Sequence, residues 1–321
     1  MVEQSNLSSV RNVWSVLQMS KLWRVVIRML KYAYNTLVYG DEPIGLGIER
    51  VARFGYDAIE LVGEPTRFDV PELLRQLEAR NLPVSSLVSI YTPERDLISS
   101  DEAVRRAAVD YVRDNIDFAT AVGAGVVTLT PQACMKILAE APLAEEWAWA
   151  IEGAREIAEY AGEHGVRVAV EPWNRYECYI MNRIEQSVAL VDEVGLPSMG
   201  CMADTFHMAI EEEDIAAAIR QAGSRLVHVH LADSNRAAPG RGHTDFRPIV
   251  QALRDVDFDG YASFELLPAA GDVFGVLRGG KAPEFLDQYT EEAITYMKGV
   301  EADLELAKTS SADSSSTVTE R

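Results

Sequence analysis

The sequence predicts an α/β protein built as one closed (β/α)8 barrel. Three observations carry that expectation: one phrase recurs along the chain, no glycine-rich phosphate loop follows the first strand, and four successive late strands each end on an ionisable residue. The recurring phrase is a helical pattern, a Gly or Asn, up to a few further residues and a short β-rich run. The first strand, 31–35, opens the series unannounced. Gly55 then announces 57–61, Asn81 announces 84–88, Gly123 announces 126–130 and Gly165 announces 167–171. Gly195, Gly223 and Gly260 announce 199–203, 226–230 and 261–265. A glycine there suits the left-handed position after a helix, where the missing Cβ removes the steric cost. Between strands, segments 44–54, 103–122, 147–164, 184–194 and 215–222 space apolar residues three or four apart, the helical period.

Alternating strands and helices suit a closed barrel or a doubly wound open sheet, since both use right-handed parallel crossovers. The missing GxGxxG or GKS/T loop and the dispersal of polar residues over several strand ends favour closure. Strands five to eight follow one another too closely to admit a second domain. The barrel is therefore expected over 30–307, between an N-terminal extension at 1–29 and a tail at 308–321. The extension carries Arg11, Lys21, Arg24 and Arg28 against Glu3, in a chain that is otherwise acidic. It reads as a helix under the barrel, a membrane-surface helix, or upstream sequence ahead of a true start at Met29, the last being favoured. From Thr309 onward Ser, Thr and charge dominate, which predicts disorder.

The 321 residues are 48% apolar, ample for a substantial core, and carry a net charge of −20. That charge repels phosphate backbones and anionic membranes, so nucleic acid and membrane are excluded as expected partners. It also suits a saline cytoplasm, where screening makes a dense carboxylate surface tolerable. Cys134, Cys178 and Cys201 have no CxxC spacing, so neither a disulfide framework nor a cysteine zinc site is indicated, and a cytoplasmic location is expected. No apolar run reaches the roughly 18 residues of a spanning helix.

The chemistry is expected at four strand ends, Glu171, Asp204, His230 and Glu265. In a barrel these ends converge, placing three carboxylates and an imidazole around one point. Like charges so close must be neutralised by a proton or a metal. An oxygen-rich set with one imidazole suits Mn²⁺, Co²⁺ or Mg²⁺, with Mn²⁺ foremost. Any one of these residues alone would read as a helix cap or surface charge. His228 is expected to point away from His230 and to pack between barrel and helix, on the argument that strand residues alternate faces. Glu60, Tyr34 and Asn182 are further candidates for the mouth, Asp245 for a loop brace or helix cap, His243 for an exposed loop position, and Arg236 and Arg241 for solvated loop charges or a phosphate clamp, a free sugar being preferred.

The phrases Glu171-Pro-Trp-Asn-Arg-Tyr-Glu177, Asp204-Thr-Phe-His207-Met, His230-Leu-Ala-Asp-Ser-Asn-Arg236 and Pro239-Gly-Arg-Gly-His-Thr-Asp245, with Ser263-Phe-Glu265, carry a resemblance. Taken together they resemble the xylose-isomerase-like superfamily of sugar isomerases and epimerases. Within it they are most similar to the ketose 3-epimerases, the D-tagatose and D-psicose 3-epimerase group. The resemblance implies that Glu171, Asp204, His230 and Glu265 bind a divalent metal, and that Glu171 and Glu265 double as the acid/base pair. It further implies that Glu177, His207 and Arg236 grip substrate hydroxyls, and that the enzyme is a dimer or tetramer. The implied reaction is C3 epimerisation of a ketose through a cis-enediolate, one glutamate taking the proton and the other returning it. Ala209 stands where the epimerase pattern commonly has Asn, which implies a different pocket. Three alternatives stay open: a 1,2 aldose–ketose or hydroxypyruvate-type isomerase on the same site, an apurinic-site endonuclease, and a non-catalytic sugar-binding protein. The acidic surface and the paucity of histidine argue against the endonuclease, and the presence of both glutamates argues against the binding protein.

Overall fold

The computed structural model describes residues 29–267 and 283–316, so the expectations for residues 1–28 and 317–321 lie outside the described residues. Short runs of Val, Ile, Leu and Ala that bury both faces form parallel strands, because helices then cover the outer face and neighbouring strands the edges. In chain order the first half comprises β1 (Lys31–Asn35), α1 (Ile44–Arg53), β2 (Ala58–Val62), α2 (Val70–Glu78), β3 (Val84–Val88), α3 (Glu102–Val122) and β4 (Val126–Leu129). There follow α4 (Leu143–Glu163), β5 (Arg167–Val170), α5 (Ile184–Val194), β6 (Met199–Asp204), α6 (Thr205–Glu211) and α7 (Ile215–Ala222). The last elements are β7 (Leu226–Leu231), α8 (Phe246–Asp255), β8 (Tyr261–Phe264) and α9 (Pro283–Ser316). The strands close into a barrel in the order β1 to β8, and β1 pairs parallel with β8 from Lys31↔Tyr261 to Tyr34↔Phe264.

Backbone φ is positive at Gly55, Asn81, Gly123, Gly165, Gly195 and Gly223, as the recurring phrase requires. Gly260 differs. The left-handed residue after α8 is Asp257, with φ 53°. Gly260 is instead needed for space, since a Cβ there would lie 2.6 Å from the Val227 carbonyl oxygen and 2.7 Å from the Phe258 ring. A similar demand holds at Gly200 in β6, where a Cβ would lie 2.4 Å from Val227 Cγ1 and 2.6 Å from the Arg225 oxygen.

The seam between β1 and β8 is fastened from outside by α9. Glu301, fully buried, accepts hydrogen bonds from the Tyr32 hydroxyl at 2.7 Å, the Leu30 N–H at 3.2 Å and Arg254 at 3.1 Å. The Tyr32 ring stacks on Phe264 across the seam. Helix α9 runs through Ser316, past the expected boundary at 308. A helix satisfies its own backbone and can extend beyond its last packed side chain. No helix of the described residues is long and apolar enough to cross a membrane.

Candidate active site

The C-terminal ends of β5 to β8 deliver the four expected side chains to one place. Glu171 follows β5, and its N–H still donates to Leu129 at 2.8 Å, which holds the residue in strand geometry. Asp204 ends β6 and caps α6, its Oδ1 accepting from the Phe206 N–H at 2.7 Å. That cap aims Oδ2 away from the helix, where it is buried with no hydrogen-bond partner. His230 projects inward from β7, and its Nδ1 is also buried and without a partner. This Nδ1 lies 3.8 Å from each of Glu171 Oε1, Asp204 Oδ2 and Glu265 Oε1. These two orphaned buried atoms, His230 Nδ1 and Asp204 Oδ2, with the Glu171 and Glu265 carboxylates beside them, fit a divalent cation, whose charge would offset that of the carboxylates and whose coordination would use both atoms.

Burial, reinforced by Glu265 and Asp204, pushes the Glu171 carboxyl up to about 8 despite the opposing effect of His230. Burial and Glu265 likewise raise Asp204 to about 6. For His230 burial opposes charge, but Glu60 and Glu265 outweigh it and hold the imidazole well above its ordinary value. Glu265 is held differently from Glu171. Its Oε2 accepts from Arg236 Nη2 at 2.8 Å and its Oε1 from Asn35 Nδ2 at 3.3 Å.

The remaining expected residues border the same space. His207, on the first turn of α6, places Nε2 3.9 Å from both Glu171 and Asp204. Its Nδ1 accepts from the Asn174 backbone N–H at 3.2 Å, which puts the ring proton on Nε2, facing the site. Burial and Arg236 hold its pKa well below the ordinary value, so the ring is neutral. Arg236 sits at φ 61°, stacks its guanidinium over Phe206 at 4.7 Å and reaches Glu177 Oε1 at 3.4 Å. A cleft opens above these groups, walled in part by Leu37, Tyr91, Cys134 and Trp173.

Residues 48–287 match the family described as xylose isomerase-like TIM barrel. The chain belongs to the xylose isomerase-like TIM barrel family. D-psicose 3-epimerase of Agrobacterium fabrum is 28% identical over 266 residues, 79% of this chain and 92% of that protein. D-psicose 3-epimerase of Enterocloster bolteae is 44% identical over a shorter stretch of 126 residues, so this chain spans 42% of that relative's length and 39% of its own. Among solved structures, D-psicose 3-epimerase with D-tagatose from Clostridium cellulolyticum H10 superposes with a TM-score of 0.77 at 26% identity, covering 85% of this chain and 99% of that one. This member of the xylose isomerase-like family is an enzyme of the isomerase class.

Several sequence expectations need correction in this xylose isomerase-like barrel. His228 does not point away from His230. Residues two apart on a strand share a face, and the two rings meet edge to face at 5.1 Å. Glu60 does not line the mouth either: it is fully buried in β2, with Oε1 3.0 Å from His228 Nε2 and Oε2 2.9 Å from His230 Nε2. Burial pushes this carboxyl up, but the two imidazoles prevail and hold it well below the usual range. Tyr34 is buried in a stack with Tyr39, and Asn182 braces a loop by donating to the Trp173 and Cys178 carbonyls. Asp245 caps α8 and His243 is exposed, both as expected, while Arg241 is exposed and pairs with Glu292. Asn174, Trp173 and Asn35 were not singled out from the sequence, although Asn174 and Trp173 lie inside the phrase that begins at Glu171.

Proposed function

We propose that this protein is a divalent-metal-dependent epimerase that inverts C3 of an unphosphorylated ketose, with Glu171, Asp204, His230 and Glu265 holding the cation. One observation carries the reading. The unpartnered Nδ1 of His230 is ringed at 3.8 Å by three carboxylates at the base of a cleft lined also by Trp173, Glu177 and Arg236. The relatives named D-psicose 3-epimerase and the "L-ribulose 3-epimerase" of Methylomonas support the ketose and the position of inversion. The ligand set, mostly oxygen with one imidazole, favours Mn²⁺, then Co²⁺ or Mg²⁺. When bound, the cation supplies positive charge against the negative charge that develops on the substrate oxygens.

The chain's own groups do the rest. Glu171, with a carboxyl poised near neutrality by burial, and Glu265, held by Arg236 and Asn35, exchange the C3 proton. One removes it beside the carbonyl and the other returns it from the opposite side, which inverts the carbon; such a positioned group contributes roughly 10²–10⁴-fold. His207 Nε2–H and Arg236 donate to substrate hydroxyls, and Glu177 accepts. Trp173 and Tyr91 cover the cleft with apolar surface that excludes water. The loops that border the cleft pair their cations internally, Arg95 with Glu64, Lys136 with Asp96 and Arg175 with Glu211, which favours a neutral sugar over a sugar phosphate. The reading includes a cytoplasmic setting, in keeping with three free thiols, and a homodimer or homotetramer.

The test is a panel of ketoses, aldoses and small keto acids, with chelator-stripped protein re-supplied with Mn²⁺, Co²⁺ or Mg²⁺. The expected result is the C3 epimer of a ketose, formed only with an added ion. Full turnover by verified metal-free protein refutes the metal. An aldose product with hydrogen moved between C1 and C2 replaces the epimerase by a 1,2-isomerase.

A further inference from the structure

Beneath the candidate cation site lies a second cluster that the proposed chemistry does not use. Glu60, His228 and His230 bring their ligand-type atoms together, and His230 belongs to both clusters, Nε2 facing Glu60 and Nδ1 facing Glu171 and Asp204. Glu60 comes from β2 and the histidines from β7, so the contact spans the barrel interior rather than adjacent strands. All three side chains are essentially solvent-free, with 0–1% exposure. A carboxylate buried so completely needs donors for both oxygens. It has two, one imidazole nitrogen on each oxygen.

We infer that Glu60 is a positioning residue for the cation site: it accepts Nε2–H from both histidines and so locks His230 in the tautomer that turns the Nδ1 lone pair to the metal. The inference rests on the metal reading above. Its physical basis is that an imidazole bound to a cation keeps a single proton. A neutral imidazole that donates from Nε2 has its lone pair on Nδ1, and a partner that can only accept enforces that choice. His228 has a different task. By occupying the other oxygen it keeps the carboxylate from rotating away from His230, and with its ring edge against His230 it limits that ring's tilt.

Glu60→Gln tests this with little change of shape, because a carboxamide accepts on one side and donates on the other. One of the two imidazoles must then carry its proton on Nδ1, or one contact must break. The probe is Mn²⁺ alone, titrated into the full chelator-stripped chain with free ion read by electron paramagnetic resonance. E60Q is expected to lose about 10–100-fold in affinity, while its circular dichroism and cooperative melting are retained. His228→Gln, which keeps the carboxylate on His230, is expected to lose much less. Equal affinity in E60Q and wild type overturns the inference, as does an equal loss in both variants.

A second measurement needs no variant. In the Zn²⁺-loaded wild type, which is diamagnetic, nitrogen-15 spectra should place the His228 and His230 ring protons on Nε2 as slowly exchanging signals. A His230 proton on Nδ1 overturns the inference even if E60Q does not fold. Two tight ions per wild-type chain, one of them lost in E60Q, would also overturn it by making Glu60 a ligand of its own site. Failure of the metal reading is separately visible, because wild type would then bind no ion at all.

Discussion

Removing the cation should make the protein lose stability as pH rises from mildly acid to mildly alkaline, and restoring it should abolish that loss. The Glu171 carboxyl goes from an ordinary 4.5 to about 8 on folding, so between those values the metal-free folded state holds a proton that the unfolded chain has released. The stabilisation from that proton is complete below the unfolded value and gone above about 8. Each pH unit in the window is worth about 1.4 kcal/mol per proton held. The interval from 4.5 to about 8 then corresponds to roughly 5 kcal/mol for Glu171 acting alone. Asp204, raised from 3.8 to about 6, adds to the acid side of the same trend. At roughly 2–4 °C per kcal/mol for 150–250 residues, and less for a larger chain, one proton lowers the melting midpoint by at most roughly 6 °C per pH unit. Mn²⁺ takes the deprotonated carboxylates, so its stabilisation grows with pH over the same range. The assay is scanning fluorimetry from pH 5 to 9, in EDTA and in saturating Mn²⁺. The gap between the two curves cancels titrating groups elsewhere and should widen steadily up to about pH 8. Parallel curves would refute the assignment of the raised carboxyls to the cation site.

Two further outcomes are expected. Glu171→Gln and Glu265→Gln keep an oxygen for the cation but cannot take a proton, so each should lower turnover roughly 10²–10⁴-fold with substrate binding much less affected; in D2O one variant should exchange the C3 hydrogen of one epimer and the other that of its partner. Near wild-type turnover by either would sink the two-glutamate scheme. Gly200→Ala should destabilise the protein by roughly 1–3 kcal/mol, because the new Cβ meets the Arg225 carbonyl as well as Val227, and an unchanged melting midpoint would show that β6 and β7 separate without cost.

The barrel was readable because its punctuation is local. Gly195 ends a helix in the sequence as it does in space, and the strand that follows is announced within a few residues. The four inward side chains were readable for a related reason, since each marks the end of its own strand and parallel strands in a barrel share one end. Glu60 was not readable as what it is. Its partners lie 168 and 170 residues away on a strand that is not its neighbour, and no spacing rule links them. The His228-x-His230 pair does hold the signal, because a two-residue interval keeps both rings on one face of the strand. Wall residues such as Leu37, in the single 3-10 turn Thr36–Tyr39, and Cys134, in a loop turn, come from segments after strands too short for a period to identify the inward side. Gly260 shows a third limit: the same residue serves conformation at one helix end and clearance at another, and only coordinates separate the two.

The Glu301 anchor has a bearing on how the chain comes to its fold. Its carboxylate joins Leu30 and Tyr32 across intervals of 271 and 269 residues, nearly the whole described span. On a ribosome the strand at the start of the barrel is made first and can acquire this partner only when the last helix has emerged. The far edge of β1 stays unpaired until β8 has emerged, and the Tyr32 hydroxyl lacks its acceptor until α9 follows. Closure is thus a late event with a high loop-closure entropy, and α9 works as a latch that fastens a seam β8 has already paired.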